Sequence, residues 1–386
     1  MPGPLSGIRI LDMTSILMGP LATQMLGDMG ADVIKVEPPG GDLFRHVTPQ
    51  RHQGMSHAYL NANRNKRSVV IDAKLPAGRA AILKLAQTAD VLVSNIRPSG
   101  MKRLGLDYEA VRLSSPRIIY CGCYGYSESG PFAGRSAVDD TIQAACGAAS
   151  LQGVNTPSPR FVNFGLADKT VSLYIANAIT LALFARERTG VGQLVEVPMY
   201  ECMTSFMLHE HLAGLTFDPA LGEAGYARML TPFRRPFRTK DGYLSVVPYS
   251  DRQWRRFFEL SGSPALREDN RFRTLTDRTL HISALYKLLE ETIAERTTAE
   301  WSALLNGGDI PFSPVNSVED LIEDPHLNTT GFWKTVDHPT EGKLRMTGIP
   351  IRFSKTPGSI RRHAPALGEH TDEILDEIRR EHGDTS

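Results

Sequence analysis

From residue 8 to residue 121, short apolar runs alternate with helix-patterned stretches, and this rhythm limits the fold more tightly than any other feature of the chain. Ile8 to Met13 reads as a buried strand, and Gly19 to Met29 as a helix with Pro20 in its first turn. Gly30 ends that helix. Ala31 to Glu37 is the next strand, Ser68 to Asp72 the third, Val91 to Ser94 the fourth and Arg117 to Cys121 the fifth, with a helix over Gly78 to Thr88. Strands separated by helices predict a parallel sheet with helices on its faces, an α/β fold. Such sheets bind ligands beyond the carboxyl ends of their strands. A site is therefore expected in the loops after Met13, Glu37, Asp72, Ser94 and Cys121.

Gln193 to Pro198 reads as a further strand and Met199 to Leu215 as a helix. The glycines and prolines between Phe217 and Thr231 mark a linker. Arg238 to Pro248 looks like a hairpin turning at Lys240-Asp241-Gly242. Amphipathic segments at Asp251 to Ser261, His281 to Glu295 and Thr298 to Leu305 complete a smaller α+β domain. Leu344 to Phe353 is strand-like again.

Several functional classes are disfavoured at this stage. The turn Thr14-Ser15-Ile16-Leu17-Met18-Gly19-Pro20 lacks the Gly-x-Gly-x-x-Gly that brings a pyrophosphate to a helix start, and no Walker-type loop occurs. Lys plus Arg and Asp plus Glu both total 43, and no long basic block is present, so nucleic acid is not an expected partner. Cys121, Cys123, Cys146 and Cys202 do not form a disulfide framework and read as reduced core residues. Met1 to Gly7 has no signal-peptide pattern. Val171 to Ala185 is too short for a span, carries Ser172, Asn177 and Thr180, and reads as a buried helix. A cytoplasmic protein without membrane contact is expected. His209 and His211 lie two apart on a helix and point to different faces, so they do not form a metal site.

Asp168 stands out chemically. It lies in Phe164-Gly165-Leu166-Ala167-Asp168-Lys169-Thr170, at the mouth of a predicted helix whose backbone N–H groups would stabilise its ionised form. A positioned carboxylate can be a covalent nucleophile. From the residues alone it is equally a plain helix cap or a partner of Lys169.

Pro4 to Asp12, Gly30 to Glu37, Asn63 to Ser68, Arg103-Leu104-Gly105, Gly190 to Gln193, Ile310 to Val315 and Pro365 to Asp372 together resemble the class III (CaiB/BaiF-type) CoA-transferases. Each stretch is weak alone, but their order spans nearly the whole chain. The resemblance implies a Rossmann-like large domain built from 1–215 and 344–386. It implies a smaller domain over 232–325, linkers at 216–231 and 326–343, and an interlocked homodimer. It places the family's nucleophilic aspartate on Asp168.

The implied activity is acyl-CoA:carboxylate CoA-transfer through an aspartyl anhydride and an aspartyl-CoA thioester. It uses acyl-CoA and a carboxylic acid acceptor as substrates and needs no metal or permanently bound cofactor. Lys74, Asn95 and Arg103 match CoA contacts of relatives, with Arg45 and Arg97 as further cations. Tyr124 and Tyr126 match a region lining the pantetheine, though ordinary packing explains them as well. Oxyanion donors would come from the turn at Asp168 or from the loop Gly122 to Gly130. Two departures matter. Val138 stands where 2-methylacyl-CoA racemases carry a histidine, and valine cannot shuttle an α-proton. Leu17 stands where formyl-CoA transferases carry glutamine, and a less polar pocket suits a larger acid. A racemase or epimerase, and a non-catalytic CoA-binding paralogue, are the alternatives.

Overall fold

The structure, a computed structural model, describes residues 2–382; Met1 and the last four residues of the expected 344–386 segment lie outside it. The chain runs β1 (Arg9–Met13), α1 (Met18–Asp28), β2 (Asp32–Glu37), α2 (His57–Ala62), β3 (Lys66–Val70), α3 (Pro76–Thr88), β4 (Val91–Ser94), α4 (Pro98–Leu104), α5 (Tyr108–Arg112), β5 (Ile119–Tyr124), α6 (Asp139–Ala145), α7 (Ala148–Gly153), α8 (Leu166–Thr189), β6 (Gln193–Pro198) and α9 (Met199–His211). The six strands form one parallel sheet in the order β3-β2-β1-β4-β5-β6. The order reverses between β1 and β4, so the loops after these two strands diverge and leave a crevice.

Apolar residues from both ends of the chain share the core on one side of this sheet. Leu11, Ile34, Val69 and Leu92 of the strands pack with Ile82 and Leu85 of α3 and with Ile374 and Ile378 of a helix at Thr371–His382. Arg67 of β3 reaches Glu373 and Glu377 on that helix at 2.8 and 2.7 Å, which ties the edge strand to the end of the described chain.

Charges are also buried inside the sheet. Asp12, Lys35 and Lys66 are fully enclosed, and Glu37, Asp42 and Arg45 nearly so. Burial of this kind is tolerated only when the charges are paired and hydrogen-bonded. Lys66 Nζ lies 3.0 Å from Asp12, Lys35 Nζ 2.8 Å from Asp42, and Arg45 2.6 Å from Glu37.

The chain divides into two compact units. The larger holds residues up to Ala148, Phe161–Phe206 and the chain from Asn328 onward; the smaller holds Ala149–Arg160 and Met207–Leu327. The smaller unit has a three-stranded antiparallel sheet of Phe237–Arg238, Tyr243–Val246 and Phe312–Pro314. Helices Asp251–Leu260, Ile282–Ile293 and Thr298–Asn306 pack around Trp254, Phe257, Leu285 and Trp301. In the larger unit, Trp333–His338 and Gly342–Thr347 pair antiparallel, so the stretch 326–343, expected as a linker, carries a strand.

A second difference concerns α8. Its 24 residues extend beyond the expected apolar stretch, and Val171, Ile175 and Ile179 are buried. Leu173, Leu181 and Phe184, however, are about 60% exposed. The helix is thus half-buried in the single chain, because its apolar residues run all round it rather than along one stripe.

Candidate active site

A cavity of about 380 Å³ opens at the crevice beside β1 and β4. Its walls come from the ends of three strands and the starts of four helices, α1, α6, α8 and α9. Ser15, Ile16, Leu17 and Met18 follow β1, Asn95 to Arg97 follow β4, and Cys123, Tyr124 and Gly125 close β5; Arg135 to Asp139 lead into α6, Asp168 sits in the first turn of α8, and Met199 opens α9.

The loop after β1 is held from below and from the side. Lys35 Nζ donates to the Thr14 carbonyl at 2.9 Å, and Asp42 accepts the Ile16 N–H at 2.9 Å. Asn95 accepts the Ser15 N–H at 3.1 Å and donates to the Ser15 carbonyl at 2.9 Å. These bonds hold Ile16 at φ 73°, a conformation that costs a β-branched residue on the order of 1–3 kcal/mol. At β5, Gly122 leaves room for the Tyr124 ring; a Cβ there would lie 2.6 Å from Tyr124 Cε1.

Asp168 is the third residue of α8, which begins after Gly165 with no side-chain cap. Its N–H donates instead to Asp139 Oδ2 at 2.9 Å. Gly165 is the meeting point: a Cβ there would lie 3.3 Å from Leu17 Cδ2, 3.4 Å from Asp139 Oδ2 and 3.8 Å from Asp168 Cβ. Ser172 donates to the Met18 carbonyl at 2.7 Å and pins α8 to α1.

The electrostatics differ from the sequence expectation. The start of a helix favours an ionised carboxylate, but here burial dominates, and Asp139 and Asp140 add to it; together they push the Asp168 carboxyl up to about 6. It is still ionised by about ten to one at pH 7. Burial, then Glu196 and Glu128, raises the Tyr124 phenol, which remains a proton donor. Burial and neighbouring Cys121, with the sulfurs 3.6 Å apart, raise the Cys123 thiol and disfavour its thiolate.

Of the residues singled out from sequence, Asp168, Asn95 and Tyr124 share the cavity. The Asn95 amide bonds the Ser15 backbone through both its oxygen and its nitrogen, which fixes the side chain in the cavity wall. Lys74, on the turn after β3, and Arg103, in the last turn of α4, are exposed and do not line the cavity. Tyr126 packs against Phe132 and Tyr200 with ring centroids 5.4 and 5.5 Å away. Arg45 is enclosed with Glu37 and cannot meet an anion, whereas Arg97 lines the cavity. Sequence reasoning missed Asp139 and Arg135. An acidic pair opening a helix was visible, but nothing local says that it meets the start of α8. Among the described residues, no group of three or more His, Cys, Asp or Glu could hold a metal ion.

Residues 5–371 match the model of CoA-transferase family III. The chain belongs to this family. The transferase is 35% identical to succinyl-CoA:glutarate CoA-transferase of Mus musculus over 382 residues, covering 98% of this chain and 87% of the relative. It is 33% identical to succinate–glutarate CoA-transferase of Agrobacterium fabrum, covering 97% and 96%. A crystal structure of a CaiB/BaiF family protein from Brucella suis superposes with a TM-score of 0.82 at 31% identity, covering 98% of this chain and all of that one. The protein is an enzyme, a class III CoA-transferase, with CoA thioesters as substrates. No helix of its described residues is long and apolar enough to cross a membrane.

Proposed function

We propose that this transferase moves CoA between carboxylic acids with Asp168 as the covalent carrier. The Asp168 carboxylate attacks the thioester carbonyl, the C–S bond breaks, and a mixed anhydride and CoA thiolate result. The thiolate attacks the aspartyl carbonyl and expels the donor acid, leaving an aspartyl-CoA thioester. The acceptor carboxylate then displaces the thiolate, which takes the acceptor acyl group and frees Asp168. The observation that carries this reading is the placement of Asp168 on a cavity at the sheet's switch point, largely ionised and, among the described residues, with no ion pair to a cation. Val138 in the wall supports transfer over racemisation, since it offers no acid or base.

Substrate preference follows from the same walls. Leu17, Met18 and Met199 are apolar, while Arg97 and Arg135 are cationic. This mixture suits an acyl chain ending in a second carboxylate, in keeping with relatives named for succinyl-CoA and glutarate. Lys74 and Arg103 are the proposed cations for the CoA phosphates, with Tyr124 beside the pantetheine and Tyr126 supporting it. The exposed apolar residues of α8 support a homodimer of the interlocked type; the small domain expected over 232–325 falls within the smaller unit, whereas residues 149–160 and 207–215 of the expected large domain belong to that smaller unit as well. Four unpaired cysteines support a reducing compartment such as the cytoplasm.

The test is covalent trapping. Succinyl-CoA plus hydroxylamine is expected to convert Asp168 to its hydroxamate, located by mass spectrometry of the 161–186 peptide. Asp168→Ala is expected to lose at least about a thousandfold in turnover while still binding CoA. Normal exchange by Asp168→Ala, or an adduct on a different residue, rejects the proposal.

A further inference from the structure

We infer that Asp139 is a positioning residue for the transfer reaction: its carboxylate replaces the missing cap of α8, fixes the Asp168 backbone, and by its charge favours the acylated side chain of Asp168 over the free carboxylate. This rests on the nucleophilic role proposed for Asp168.

Gly165 offers α8 no side chain, so the N–H groups of its first turn need acceptors from elsewhere. The bond from the Asp168 N–H to Asp139 Oδ2, 2.9 Å long, is the bond an N-cap side chain normally accepts from the third helical residue, supplied here from 29 residues away. Asp139 is itself gripped. Gln143 Nε2 donates to Asp139 Oδ1 at 2.5 Å, and Gln143 Oε1 accepts the Val162 N–H at 2.9 Å. Gln143 is fully buried. The start of α6 therefore holds the segment leading to Asp168 at two points, and Asp139 cannot swing clear.

The charges around Asp168 are unbalanced. Asp139 and Asp140 come from α6. Lys169 follows on α8 but lies 5.1 Å over the Phe164 ring. Loop and helix residues Leu17 and Met18 add no charge, and Arg97, Arg135 and the Tyr124 phenol stand on other cavity walls. A nearby carboxylate is ordinarily a burden on a catalytic anion. In this reaction it is useful, because the half-reaction converts the Asp168 carboxylate and an acyl-CoA into a neutral aspartyl-CoA thioester and a free carboxylate. Negative charge leaves the site with the departing acid. Acylation and protonation neutralise the same group, so a charge that favours one favours the other, by tenfold for each unit of pKa. The raised carboxyl of Asp168 agrees with this.

Asp139→Asn removes the charge and keeps one oxygen, so with that oxygen on the Asp168 N–H its amide N–H₂ faces Gln143 Nε2; Asp139→Ala removes charge and acceptor together. In Asp139→Asn the acid limb of kcat/KM is expected to fall by about half to one pH unit from its wild-type position near 6, and the Asp168 hydroxamate formed at a fixed ratio of succinyl-CoA to succinate to drop about three- to tenfold. Asp139→Ala is expected to lower kcat as well. If Asp139→Asn does not fold, Asp139→Ser supplies a neutral cap and is judged by the same readouts. A neutral variant that folds and moves neither the acid limb nor the trapped fraction overturns the inference and leaves Asp139 a cap alone. Failure of the wild type to form a hydroxamate overturns the nucleophilic reading itself, and this inference with it.

Discussion

Asp12 is fully buried in the larger unit and Asp168 half-buried on its cavity, yet their surroundings drive them in opposite directions. Around Asp12, burial is outweighed by Lys66, Lys35 and the hydroxyls of Thr14 and Thr23, and the carboxyl is held well below the usual range. Four donors reach it, two from Thr14 at 2.9 and 2.5 Å, Thr23 Oγ1 at 2.7 Å and Lys66 Nζ at 3.0 Å. Around Asp168, burial acts unopposed and Asp139 and Asp140 reinforce it. The paired carboxylate locks the sheet together. The unpaired one keeps a charge that the fold disfavours and that, in the mechanism proposed above, acylation would remove. Buried charge is structural or chemical according to whether its compensation is built into the chain or arrives with the substrate.

This contrast can be broken by removing each carboxylate in turn. Asp12→Ala strands Lys66 without its carboxylate partner and is expected to destabilise the larger unit by about 3–5 kcal/mol in chemical denaturation. A loss below about 1 kcal/mol would mean that the network contributes no net rigidity. Asp168→Asn is expected to do the reverse. Because the folded-state pKa lies above the unfolded value, the folded protein binds an extra proton between pH 4 and pH 6, so ionisation costs stability above about 6 and nothing below about 4. The variant is expected to gain about 1–3 kcal/mol at pH 7, a gain that fades as the pH falls towards 4. A pH-independent change would show that the carboxyl is not strained by its site. The smallest effect sharpens the contrast from outside both groups. Lys74→Ala, on an exposed turn, is expected to leave stability within about 0.5 kcal/mol while weakening CoA binding in a salt-dependent way. Unchanged affinity at low salt would remove Lys74 from the CoA site.

Much of this architecture was legible from residue pattern, and the exceptions have physical causes. Strands β1, β2 and β4 were visible because each keeps a short apolar stretch (Ile10-Leu11, Val33-Ile34 and Val91 to Val93) bounded by helix-patterned segments, even though Asp12 and Lys35 interrupt the first two with buried charge. Strand β3 begins at Lys66 rather than at the expected Ser68, since Lys66 looks like a loop residue until its partner Asp12 is found across the sheet. Strand β5 continues past Cys121 to Tyr124, because Gly122 reads as a breaker when its task is to make room for an aromatic ring. Asp168 was legible from its own segment. Asp139 was not, because its significance lies in a contact with a helix start far away in sequence, and no local signal encodes that meeting.

The helix at Thr371–His382, packed against α3 and strapped to β3 by Arg67, has a consequence for biosynthesis. While a ribosome makes this protein, the first hundred residues emerge with an edge of their sheet bare, and the covering helix is translated only after the entire smaller unit. Nascent chains stalled before Thr371 would carry that uncovered apolar surface, so chaperone demand is expected to persist until the smaller unit and this helix have both been made.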